Sequence, residues 1–151
     1  MDATFKERLE AIDWNQYHTA YGSAVKVPGQ LLQLANGGEV AMAASHELWC
    51  GLCHQHAYVS SAALPALPFI LEVFDRADEA LTVEIVDILL GFASCTRPED
   101  NRGAPPWIGE LRQGVAAVLP RLRGLASHPN EDLAALAGLA VENLEGADEP
   151  A

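Results

Sequence analysis

Residues 67–95 read LPFILEVFDRADEALTVEIVDILLGFASC, and their pattern decides the fold. A helix is expected to open at Leu67 or Pro68, since proline suits a first helical turn, and to run through Ile70, Leu71 and Phe74. Asp75 to Asp78 form a short polar turn. Glu79 to Cys95 then predict a long helix in which Leu81, Ile85, Leu89 and Phe92 make one stripe. Val83, Val86 and Leu90 cover other faces. A helix that is apolar on most sides is a central, buried one.

The same plan recurs on both sides of this unit. VPGQLLQLAN precedes EVAMAASHELWCGL, and LPRLRGLAS precedes EDLAALAGLAVENL. Each unit has a short helix opened near a proline, a polar turn and a longer apolar helix. Pro28, Pro68 and Pro120 serve as matching anchors, and the segment 96–106, TRPEDNRGAPP, reads as an inserted loop. Pro120 implies a kink or the start of a new short helix. One pair cannot bury its apolar face alone, whereas stacked pairs share a continuous core. The expectation is an all-α fold: a short α-solenoid of about three stacked antiparallel helix pairs, at about 26–54, 61–95 and 106–145. A helical and aromatic cap covers 1–25, the single domain spans 1–146, and 147–151 form a disordered acidic tail. Composition agrees, with 45 Ala and Leu against 15 Val and Ile in 151 residues.

Charge narrows the function classes. The chain carries 21 Asp and Glu against 9 Lys and Arg, a formal net charge of -12. That excess argues against a nucleic-acid ligand held by its phosphates and against a polybasic membrane anchor. No apolar run is long enough to span a bilayer, and MDATFKERLEAID lacks a secretory apolar core, so a cytoplasmic location is expected. There is no P-loop and no G-x-S-x-G element, so phosphoryl transfer and a serine elbow are not expected.

The stretch ELWCGLCHQHAYVSSAALPALPFILEVF, residues 47–74, resembles the first full repeat of small bacterial HEAT-repeat proteins. Leu48, Trp49, His54, Gln55, Tyr58, Ala62, Pro68 and Phe69 carry the resemblance. The upstream DWNQYHTAYGSAVKVPGQL is similar at Asp13, Tyr21, Gly22, Ala24, Val27 and Pro28. His56 departs from it, standing where such proteins commonly have Gly. The resemblance implies a protein-binding adaptor, and some proteins similar to these are immunity proteins that neutralise a toxin.

Three groups of residues are candidate sites. His46, Cys50, Cys53 and His54 share one helical face and could supply four zinc ligands. The alternative reading, which is favoured, makes the cysteines small buried apolar groups and lets His54 and Gln55 satisfy backbone groups at the helix end. No metal or other cofactor is expected. Glu72, Asp75, Asp78, Glu79, Glu84 and Asp87 lie in a 16-residue span whose one cation is Arg76. They form either a solvated face or an acidic surface for a basic partner. The inserted loop offers Glu99, Asp100 and Arg102 beside Trp107, an arrangement suited to an interface. Arg112, Arg121 and Arg123 read as intramolecular partners of the acids.

The function expected from these features is non-catalytic protein binding. The most specific form is an immunity protein whose acidic surface occludes the basic cleft of a cognate toxin domain. A structural or self-associating scaffold is the alternative, and a zinc protein built on the His46, Cys50, Cys53 and His54 cluster is a third.

Overall fold

The computed structural model describes residues 4–145. Those residues are mostly helical, with eight α-helices and one two-stranded hairpin. The first elements are α1 (Phe5–Glu10), β1 (His18–Thr19) and β2 (Gly22–Ser23). α2 (Val27–Asn36), α3 (Gly38–Cys53), α4 (Ala63–Phe74) and α5 (Glu79–Cys95) follow. α6 (Pro106–Ala116), α7 (Leu119–Leu125) and α8 (Glu131–Glu145) complete the order. The expected acidic tail lies outside the described residues.

Caps explain several helix starts. Thr4 accepts from the Glu7 N–H, Asp78 from that of Leu81, and Asn130 from that of Leu133. Pro106 and Pro120 sit in the first turns of α6 and α7, where the missing N–H has no intrahelical acceptor to lose. Pro120 therefore starts a new helix. Pro68 corrects its assigned role as an anchor. It lies inside α4, which already begins at Ala63, and its ring is on the exposed side. Ser60 and Ala62 carbonyls receive the first N–H groups of that turn, so the chain has committed to helix before Pro68 arrives.

α5 is the central helix, as its all-round apolar pattern requires. Ile85, Val86, Ile88, Leu89, Phe92 and Ala93 have no exposed surface. It packs against α3 on one side and α8 on the other. α2 packs on α3 and on α4, α4 packs on α6, and α7 packs on α8. Phe74, Leu48, Leu52, Ile70 and Leu111 join the same core. No helix among the described residues is long and apolar enough to cross a membrane.

The first 25 residues add a hairpin to α1. Trp14 folds inward, 5% exposed, and its indole Nε1 donates to the Leu9 carbonyl at 2.8 Å. Residues 18–23 form an antiparallel hairpin with His18 opposite Ser23 and Thr19 opposite Gly22. Gly22 takes φ 120°, which only glycine adopts without strain. The hairpin tip turns Tyr21 outward, 69% exposed, so this aromatic does not fold onto the domain. Three bonds pin the hairpin in place. Ala20 donates its N–H to the Gly51 carbonyl, Ala62 donates to His18, and the His18 N–H reaches Ser61 Oγ.

Candidate functional site

The last turn of α3 ends in an unusual backbone. His54, Gln55 and His56 have φ of 41°, 57° and 70°, three left-handed residues in a row and none of them glycine. Each such residue costs about 1–2 kcal/mol, so neighbouring contacts must hold the turn. The Ala57 N–H bonds the carbonyls of Cys53 and His54, and the Ser60 N–H bonds that of Leu52. His56 Nε2 donates to both the backbone oxygen and Oδ1 of Asp87, each at 2.8 Å. The hydrogen bond to Asp87 raises the His56 pKa above its ordinary value, with burial opposing it. Gly91 makes the approach to α5 feasible, since a Cβ there would sit 2.6 Å from Cys53 Sγ and 2.8 Å from His56 Cδ2.

This held turn presents rings to solvent. The His54 imidazole lies 4.9 Å from the Tyr58 ring and 6.1 Å from that of Tyr21. Trp49 lies 5.7 Å from both His46 and His56. Tyr21 and Tyr58 are exposed, while Trp49 is half-buried on the core. Trp49 Nε1 and His54 Nδ1 are buried atoms without a hydrogen-bond partner among the described residues. A hollow of about 390 Å³ between the hairpin and α3 is lined by Tyr21, Val25, Lys26, His46, Glu47 and Cys50. A second hollow, about 500 Å³, is lined by His56, Tyr58, Cys95, Asp100, Asn101 and Ile108.

The four residues considered for zinc do not converge. His46 is exposed, and its Nε2 lies 3.7 Å from Cys50 Sγ. Cys53 is buried and its thiol donates to the Trp49 carbonyl at 3.3 Å. His54 leaves the helix through its left-handed φ, with its ring tilted against Tyr58 and edge-on to Tyr21. No three His, Cys, Asp or Glu are grouped as metal ligands among the described residues. Burial pushes the Cys53 pKa up to about 12 and raises that of Cys95, so both stay protonated and make poor nucleophiles.

The acidic run does not form one uncompensated surface. Glu72 takes a two-pronged bond from Arg8, whose guanidinium holds its carboxyl below the usual pKa. Asp75 pairs with Arg121 at 2.7 Å, Asp78 caps α5, and Asp87 is engaged by His56. Arg121 also lies 3.6 Å over the Phe74 ring. Glu84 has no ion pair among the described residues, and burial followed by the charge of Asp87 raises its pKa. In the loop, Glu99 pairs with Arg97 at 2.6 Å, Asp100 lines the second hollow and Arg102 is exposed. Trp107 is half-buried against the core. Arg112 donates to the carbonyls of Ala93, Asn143 and Leu144, tying α6 to the ends of α5 and α8.

Sequence reasoning placed Trp49, His54, Gln55, Tyr58 and Pro68 in one motif; Trp49 lies in the last turns of α3, His54 and Gln55 in the left-handed turn, Tyr58 just after it, and Pro68 apart from them in α4. It missed Val25 and the hollow beside Tyr21, whose formation depends on the hairpin. No family model, no curated protein and no solved structure matches this chain.

Proposed function

We propose that the chain is a non-catalytic protein-binding module, built as a short HEAT-like α-solenoid, and that it acts as an immunity protein toward a cognate toxin. The neighbour relations of the helices support the solenoid reading. α5 packs on both α3 and α8, and α4 on both α2 and α6, as successive repeats would. In this reading α2–α3, α4–α5 and α7–α8 are the repeating pairs.

One observation carries the binding reading. Tyr21 and Tyr58 are 69% and 47% exposed, flanking His54 on a turn held by strain-offsetting contacts to α5. Large amphipathic rings on a rigid frame are what a protein interface uses as anchors. The net charge of -12 favours a basic partner and speeds its approach. Since Arg8 and Arg121 engage Glu72 and Asp75, the acid excess serves long-range attraction, while the ring surface makes the close contact.

Co-expression with the toxin encoded beside this chain tests the reading. Suppressed toxicity and a complex that survives gel filtration are expected. Unchanged toxicity, or no complex between the purified proteins, contradicts it.

A further inference from the structure

The hollow between the hairpin and α3 holds a group that partner binding does not use. Three chemistry-bearing side chains from two elements meet there. Cys50 and His46 stand one turn apart on α3, with Sγ and Nε2 at 3.7 Å. Tyr21 comes from the hairpin tip and lines the same hollow. Thr19, Ser23, Lys26, Gln30 and Glu47 place polar groups on a rim that is otherwise mainly apolar. The volume, about 390 Å³, falls within the range of small-molecule sites, about 300–1,000 Å³.

The other thiols make the contrast. Cys53 is fully buried, spends its proton on the Trp49 carbonyl and is pushed up to about 12. Cys95 is also raised by burial, and its neighbour is the Ser94 hydroxyl rather than a base. Cys50 is half-buried, opens on the hollow and has an imidazole within reach of its proton. A thiol reacts as its thiolate, so an adjacent base and access together select it.

We propose that Cys50, with His46 as proton acceptor, is a reactive thiol site for a small disulfide. The disulfide enters the hollow beside Cys50. His46 takes the Cys50 proton, and the thiolate attacks the nearer sulfur of the disulfide. A new S–S bond forms as the old one breaks, and the distal sulfur leaves as a thiolate that takes the proton from His46. Cys50 is oxidised to the mixed-disulfide level and the leaving sulfur is reduced, with no further reactant needed. The adduct forms without any protein partner, so its test stands apart from the partner-binding reading although Tyr21 borders both surfaces.

The test treats the native chain with glutathione disulfide and follows adduct formation by intact mass and peptide mapping. One adduct is expected, at Cys50, formed faster than at the same thiol in the urea-unfolded chain. Cys50→Ser should abolish it and Cys95→Ser should leave it unchanged. His46→Gln, a change on an exposed surface, should slow it at least about tenfold, the low end of what a positioned base contributes. Modification first at Cys53 or Cys95 would overturn the proposal. So would a Cys50 rate no faster than in the unfolded chain, or an unchanged rate in His46→Gln with native circular dichroism.

Discussion

Replacing Gly91 with alanine sets two opposed effects against each other on one helix. Alanine in a helix interior is favoured over glycine by about 1 kcal/mol. At Gly91 the new Cβ would stand 2.6 Å from Cys53 Sγ, 2.8 Å from His56 Cδ2 and 3.1 Å from Cys53 Cβ. None of these neighbours is a flexible chain end with room to swing. Cys53 is buried in the core, and His56 is held by Asp87. Overpacking of this kind costs about 1–3 kcal/mol. Displacing His56 also loosens its bonds to Asp87, worth about 1 kcal/mol after allowance for partial exposure. The net expectation for Gly91→Ala is a loss of about 1–3 kcal/mol, or roughly 3–10 °C in Tm for a chain of this size. Gly138→Ala in α8 is the matched control, since no atom lies within 4 Å of its added Cβ. It should gain about 0.5–1 kcal/mol. Urea denaturation followed by far-ultraviolet circular dichroism measures both. Gly91→Ala as stable as Gly138→Ala would refute the claim that the left-handed turn rests on α5 at this point.

Further outcomes follow from the same contacts. His56 has a raised pKa in the folded state, so its pair with Asp87 contributes fully below the ordinary histidine value of about 6.5 and fades as pH rises through the folded value. The stability difference between the wild type and His56→Gln should shrink over that window, and a difference that grows with pH would contradict it. Arg121→Ala should cost about 1–2 kcal/mol, because the guanidinium covers Phe74 and donates to its carbonyl at 2.6 Å. Arg121→Lys should not restore that loss, as lysine lacks the planar fork. Asp78→Ala should cost about 0.5–2 kcal/mol by uncapping α5. Zinc added to the chelator-treated protein should leave the Tm unchanged, and a rise that tracks zinc concentration would restore the metal reading.

Residues that act locally were the legible ones. Asp78 caps α5, Asp75 to Asp78 make the turn before it, and the apolar faces of Glu79 to Cys95 identify the buried centre. The bounds of α5 therefore follow from the chain itself. Pro68 misled because a proline reads as a helix start, whereas Ala62 and Ala63 had already begun α4. The left-handed turn was illegible for a related reason. Positive φ is normally signalled by glycine, and His54, Gln55 and His56 offer none. The φ of 70° at His56 is one that glycine takes without strain. What holds histidine there instead is Asp87 and the bare Cα of Gly91, both on another helix. The acidic run looked uncompensated because Arg8 and Arg121 are remote in sequence and meet Glu72 and Asp75 only after folding. The Cys–His spacing was visible, but the fates of Cys50 and Cys53 diverge because one side of α3 faces α5 and the other faces the hairpin.

The most direct test of the account is a calorimetric titration of the neighbouring toxin domain with the wild-type chain and with a Tyr21→Ala/Tyr58→Ala variant. Both tyrosines are exposed, so the variant should fold normally. The account predicts a tight wild-type complex that the variant weakens at least about tenfold, about 1.4 kcal/mol. No wild-type binding, or equal affinity for the two chains, would contradict it.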